Sequence, residues 1–250
     1  MEVFLDEANT WPKRMTPTTP PPAAPSAANS HRAIGHFRLG VLLVLQGIMA
    51  LELIGLLMQG SWASAVWLLA IMAMTGAPTL LGDRLLVRIP AEYEMLAILF
   101  VFAALFLGEF HSYYERYWWW DIALHSTSGL LLGIVGFLLV YVLNESRRID
   151  IHMRAGFVAL FAFAFAVAAG TAWEIFEFAA DQLLGMQMQK PMLGDPSGLT
   201  DTMWDLIVDA VGAAVISSFG WWHMKRNRPS FIDVWIDRFV ERNPRFFKKK

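Results

Sequence analysis

The stretch FVALFAFAFAVAAGTAWEIFEFAADQ, residues 157–182, decides the fold. Its first part is an unbroken apolar run of the kind that crosses a bilayer as a helix. Three acids then follow, Glu174, Glu177 and Asp181. A carboxylate at the centre of a membrane helix costs about 2.5–3.5 kcal/mol on insertion scales. Three on one helix therefore need a reason.

Working outward, similar apolar runs recur along the chain. It has 250 residues, 56% of them apolar and only 17% charged, against about 25% charged in soluble domains. The runs are continuous and do not alternate in ten-residue segments, which excludes a transmembrane β-barrel. The expected fold is all-α: a polytopic bundle of six transmembrane helices near 38–58, 62–81, 92–110, 122–143, 155–179 and 203–223. With no cysteine there is no disulfide frame, thiolate nucleophile or cysteine metal site. The bilayer is the expected partner, and no nucleic acid is.

Residues 1–34, with TPTTPPPAAPSAANS, read as a disordered Pro-rich tail. The membrane part is expected over 35–224 and a basic amphipathic tail over 225–250. In that tail Ser230 is placed to cap a short helix, Phe231, Val234, Trp235 and Phe239 share a face, and Pro244 ends it. Such a helix suits an anionic inner leaflet. Basic residues sort by loop. Lys13, Arg14, Arg32, Arg38, Arg84, Arg88, Arg147, Arg148, Arg154, Lys225, Arg226 and Arg228 fall on one side, Arg116 and Lys190 on the other. The positive-inside rule then predicts both termini in the cytoplasm. Tyr113, Tyr114, Tyr117, Trp118, Trp119 and Trp120 read as an interfacial aromatic belt. The 182–200 loop, with its GDPSG turn, is a candidate lid.

This orientation gives the acids a common depth. Asp121, His125 and Ser128 stack on one face of the fourth span; Asp201, Asp205 and Asp209 follow at i, i+4, i+8 on the sixth. Glu52 and Glu109 add to them from the first and third spans. Asp121 and Asp201, at helix starts, are also placed to cap. Glu174 and Glu177 have no such local reason. They stand at the dipole's negative end and repel each other at i,i+3. A proton or a cation must lie between them. Asp, Glu and one His without cysteine suit a divalent ion such as Mg²⁺, Mn²⁺ or Zn²⁺. The expected metal set is His125, Glu174, Glu177, Asp205 and Asp209. The expected catalytic residues are His125, Asp121 and Glu177, the two acids as candidate general bases. Gly129, Gly133, Gly136 and Gly212 allow the acidic helices to approach.

The order of motifs GEFHSYYERYWWWDIALHSTSGLLLG, WEIFEF and DTMWDLIVDAVGA resembles the YjdF-type family of bacterial inner-membrane proteins, with a more distant likeness to the VanZ-like family. The resemblance implies a six-helix protein of the bacterial plasma membrane. It carries Glu109, Asp121, His125, Gly129, Glu174, Glu177, Asp201, Asp205 and Gly212 as motif positions, and brings no reaction with it. The residues suggest a metal-dependent hydrolase or transferase acting on a lipid or amphiphile reached from the outer leaflet. The alternatives are a proton- or cation-coupled transporter, or a non-catalytic protein with a structural cation.

Overall fold

A computed structural model describes residues 27–81, 88–145, 153–226 and 230–244. Most of the Pro-rich segment, Arg84, Arg147, Arg148, Arg228 and the terminal lysines lie outside the described residues. The described chain is almost entirely helical. The helices are α1 (Ala27–Met58), α2 (Trp62–Leu81), α3 (Ala91–Val101), α4 (Tyr113–Arg116), α5 (Trp120–Glu145), α6 (Ala155–Leu184), α7 (Leu199–Lys225) and α8 (Phe231–Arg242). Helix α3 runs on without a break as a π-helix, Phe102–Phe110. Among the described residues six helical segments are long and apolar enough to cross a membrane. These are the six spans anticipated from sequence, most of them longer by a turn or more. The chain is a multi-pass membrane protein.

Two compact units divide the chain. One is built within Thr16–Trp118 together with Asp237–Arg245, the other around Trp119–Ile236. In the first, α1, α2 and α3 pack on one another. Leu42, Leu45 and Met49 of α1 meet Leu68 and Ile71 of α2 and Ile98, Phe102 and Phe106 of α3 and its π-helix. The spacings of three and four place each set on one helix face. The π-helix closes with the His111 amide donating to Phe106 O at 3.1 Å, five residues back. The same turn brings the His111 ring edge-on to Phe106 at 4.7 Å. Gln46, Thr75, Thr79 and Glu94 are paired in this unit, while the buried Arg38 Nε has no hydrogen bond. Gln46 Nε2 donates to Met72 O at 2.9 Å and to Thr75 Oγ1 at 3.0 Å. Buried Glu94 accepts from Thr79 Oγ1 at 2.8 Å and pairs with Arg38.

The end of α8 is clasped to the start of α3. Asn243 Oδ1 accepts from Arg88 N, and its Nδ2 donates to Arg88 O, both at 2.8 Å. Arg238 pairs with Glu92. Ser230 and Asp233 form a reciprocal cap: the Ser230 hydroxyl and amide donate to Asp233 Oδ2, and the Asp233 amide donates weakly back at 3.4 Å. The buried stripe of α8 is Ile232, Ile236, Phe239 and Asn243. Of the face expected from sequence, Phe239 is buried while Phe231 and Val234 stay exposed. The helix has apolar residues on two sides, and helical period alone does not choose which one docks.

In the second unit α5, α6 and α7 pack as a trio, and the approach is backbone to backbone. A Cβ at Gly129 would stand 2.3 Å from Asp209 O, and one at Gly212 would stand 2.4 Å from Ser126 O. No real Cβ fits at such distances, so α5 and α7 touch only because both positions are glycine.

Candidate metal centre between α5, α6 and α7

The close seam has a direct consequence. It brings side chains from the first turns of α5 and α7 and from the last part of α6 into one cluster. Helix α5 begins at Trp120, so Asp121 sits in its first turn, where the dipole favours an acid. His125 follows one turn on, with Ser128 on the same face. Helix α7 presents Asp201, Asp205 and Asp209, all buried. Helix α6 presents Glu174, also buried.

His125 is the hub. Its Nε2 lies 3.5 Å from Asp121 Oδ1 and 3.8 Å from Asp205 Oδ2. On the other side of the ring, Nδ1 lies 3.3 Å from Asp209 Oδ2 and 3.8 Å from Glu174 Oε1. All four are longer than ordinary hydrogen bonds, which run about 2.7–3.2 Å for nitrogen and oxygen, and the Asp209 contact comes nearest to one. They match the separation of two ligands on one ion: bonds of about 2.1 Å at tetrahedral angles put the donors about 3.4 Å apart. One donor atom each from Asp121, His125 and Asp205 fall within 4.8 Å of one another.

The acids differ in how they are satisfied. Asp209 Oδ1 accepts a short hydrogen bond from Ser128 Oγ. Both oxygens of Glu174 and both of Asp205 are buried with no hydrogen bond of ordinary geometry, as is Asp201 Oδ1. The Thr202 hydroxyl stands near Glu174 at the margin of such geometry, and itself accepts from Gln189 Nε2 at 2.8 Å. No lysine or arginine ion-pairs with Glu174, Asp205 or Asp209 among the described residues. Buried carboxylates are normally paired or bound to metal. Nitrogen and oxygen donors without sulfur, with bare carboxylate oxygens facing one imidazole, fit a hard or borderline divalent cation.

Of the residues singled out from sequence, Asp121, His125, Glu174, Asp205 and Asp209 come together. Glu177 stands half-exposed, and its Oε1 accepts from Trp173 Nε1 at 2.8 Å. The cluster takes its side chains from α5, α6 and α7; Glu52 lies on α1 and Glu109 on the π-helix after α3, both within the other unit. The two remaining acids serve the connection between α6 and α7. Asp181 accepts from the amides of Met188 at 2.7 Å and Gln189 at 3.0 Å, and Asp201 Oδ2 accepts from Lys190 N at 2.7 Å. Asp201 therefore holds the incoming loop, and the cap of α7 comes from Asp195. Asp195 Oδ2 accepts from both the amide and the hydroxyl of Thr200, while Oδ1 accepts from both those groups of Ser197. The Ser197 bonds, with those of Thr200, hold the Asp195 carboxyl well below the usual carboxylate range.

Sequence reasoning missed Gly170. It lies one helical turn before Glu174, and a Cβ there would stand 2.5 Å from Asp209 Oδ2. The signal was a glycine four residues before a membrane glutamate.

Residues 35–226, which contain every member of this cluster, match the family model for predicted membrane proteins DUF2238. The chain belongs to that family. The six apolar helices among the described residues of this DUF2238 chain agree with the membrane character in the family's description, which names no activity. An uncharacterized protein of Thermotoga maritima is 30% identical over 125 residues, covering 50% of this chain and 59% of that protein. The chain thus aligns with less than two thirds of that relative's length. No solved structure matches.

Proposed function

We propose that this protein holds a divalent cation, Mg²⁺, Mn²⁺ or Zn²⁺, in the α5–α6–α7 trio, and that the site serves hydrolysis or group transfer on a lipid or amphiphile. The observation that carries this is the pair of bare, buried oxygens on Asp205, one of them facing Nε2 of His125 beside Asp121. Asp121 and Asp205, facing Nε2 of His125, would hold the ion with it. A bound divalent ion supplies Lewis-acid polarisation and positive charge where an anion develops.

The chain's own groups divide the remaining work. Glu177, half-exposed and steadied by Trp173, is placed to accept or give a proton at the edge of the cluster. Glu174 faces Nδ1 of His125 from α6, beside the Thr202 hydroxyl. The distribution of basic residues supports a site opening to the outer leaflet of a bacterial inner membrane, with both termini in the cytoplasm. The order of motifs supports kinship with YjdF-type and, more distantly, VanZ-like proteins.

The test is metal analysis of the purified full chain beside Asp205→Asn, with thermal unfolding in added Zn²⁺, Mn²⁺ and Mg²⁺. We expect about one ion per chain in the wild type, lost in the variant, and a cation-dependent rise in unfolding temperature. Negligible metal in both, with no thermal response, would sink the cation reading. Three helices contribute to the cluster, which favours a structural cation as second reading. If His125→Ala fails to fold while metal still binds the wild type, that reading wins over catalysis.

A further inference from the structure

The groups around His125 do not occupy equivalent places. The geometry points to a division of labour: Asp209 is a positioning residue that fixes the ring and tautomer of His125 through Nδ1, leaving Nε2 to meet the cation with Asp121 and Asp205. This rests on the cation site proposed above and assigns roles within it.

Three observations carry the division. First, Asp209 is occupied where its neighbours are bare. Its Oδ1 takes the Ser128 hydroxyl and its Oδ2 faces Nδ1 at 3.3 Å, the shortest of the four contacts to the imidazole. Asp205 and Glu174 accept nothing of ordinary geometry. A carboxylate already engaged by a hydroxyl and an imidazole has little left for an ion. Second, the two ring nitrogens point to opposite sides, so one ion meets only one of them. The three donors within 4.8 Å of one another lie on the Nε2 side and exclude Asp209. Third, the position of Asp209 is set by the missing side chains of its neighbours. A Cβ at Gly170 would stand 2.5 Å from its Oδ2, and one at Gly129 2.3 Å from its carbonyl oxygen. Its carboxylate therefore lies in a slot between α5 and α6 that neither helix fills. Ser128, three residues after His125 on α5, places the hydroxyl and the imidazole on the same carboxylate.

A carboxylate on the far nitrogen of a metal-binding histidine orients the ring, selects the tautomer and raises its basicity. The Ser128 hydroxyl has one proton, and its oxygen also stands 2.8 Å from His125 O. Donated to Asp209, that proton locks the carboxylate plane; donated to His125 O, it frees Asp209 to rotate. Ser128 is thus a support for the supporting residue, and its loss has a smaller effect of the same kind.

The experiment has a metal-free arm and a metal arm, both on the full chain in nanodiscs. In the first, the protein is labelled with ¹⁵N-histidine and treated with chelator in alkaline buffer. Two-bond ¹H–¹⁵N spectra then read the tautomer, with His125→Ala assigning the signal. We expect Nδ1–H in the wild type and a shift toward Nε2–H in Asp209→Ala, smaller in Ser128→Ala. In the second, Co²⁺ is titrated and its visible band recorded. Asp209→Asn and Ser128→Ala should keep one ion and the wild-type band with affinity weakened about 10–100-fold, the usual range for an outer-shell partner. Asp205→Asn should lose the band.

An Nε2–H tautomer at His125 in the wild type overturns the assignment; where His125→Ala does not fold, replacing the other histidines one at a time assigns the signal by elimination. So does an Asp209→Asn protein that loses the Co²⁺ band as Asp205→Asn does. A wild type with the Nδ1–H tautomer that binds no Co²⁺ overturns the cation site while leaving the Asp209–His125 pairing standing, so the two failures separate.

Discussion

The two helix trios solve the same packing problem in opposite ways. In α1–α3 the glycines of α1 are idle: a Cβ added at Gly40, Gly47 or Gly55 would meet nothing within 4 Å. Cohesion there comes from large side chains such as Met49, Leu68, Ile71 and Phe106, and the buried acid, Glu94, is paired with Arg38 and Thr79. In α5–α7 the glycines are the contact, and what the contact encloses is acidic and under-satisfied. An apolar core tolerates looser helix spacing because Leu and Phe fill it. A ligand cluster does not, because donor atoms must come within a few ångströms of a common point.

The largest expected effect is on the glycine seam. Gly129→Ala pushes a methyl into the Asp209 carbonyl and should destabilise the protein by about 1–3 kcal/mol, the range for overpacking. Gly47→Ala on α1 should be neutral or stabilise by up to about 1 kcal/mol through helix propensity. Unfolding temperatures in detergent measure both. Equal losses would erase the distinction between the trios.

Next comes the polar interior. Asp205→Leu should make the metal-free protein more stable, since a buried carboxyl with no hydrogen bond gives way to apolar volume, while abolishing any response to added cation. Thr75→Val, in the paired network of the other trio, should instead lose about 1 kcal/mol, with Gln46 Nε2 deprived of an acceptor. Opposite signs for two polar-to-apolar changes are the sharpest statement of the contrast.

A smaller effect is expected at the α8 clasp. Asn243→Ala removes both hydrogen bonds to the Arg88 backbone and should cost about 1–2 kcal/mol. It should also speed amide exchange around residues 88–92. Unchanged exchange there would mean the clasp does not hold the start of α3.

The smallest is the Asp195 turn. Its carboxyl titrates lower in the folded chain than the ordinary aspartate value, because the Ser197 and Thr200 groups donate to the ionised form. Its contribution is therefore complete above about pH 4, the unfolded aspartate value, and is lost as pH falls toward the lower folded value. Amide exchange at Ser197 and Thr200 should rise over that acid range, and Asp195→Asn should flatten the rise.

Much of this is legible in the residues alone. Apolar runs of bilayer length dictate six helices, since only satisfied backbone can cross lipid. The 3.6-residue period puts Asp121 with His125 and lines up Asp201, Asp205 and Asp209. It also makes Glu174 conspicuous, as an acid in an apolar helix with no local base; α6 runs on to Leu184, so the expected dipole penalty does not reach it. Asp201 shows the limit. It lines up with Asp205 on one helix, but its Oδ2 holds the Lys190 amide of the incoming loop, and the period of one helix does not say what another segment brings to it.

Gly170 and Ser128 make the same point from the other side. A glycine in a membrane helix has many uses, and only the arrival of α7 shows that this one leaves room for the Asp209 carboxylate. The sequence by itself determined the helices, their membrane character and which side chains are too polar to face lipid, because these follow from local period and transfer free energy. Tertiary structure alone decided which acids share His125, which side of the imidazole each one faces, and which oxygens remain bare. Those depend on how closely three helices approach, and that closeness is set by contacts between residues far apart in the chain.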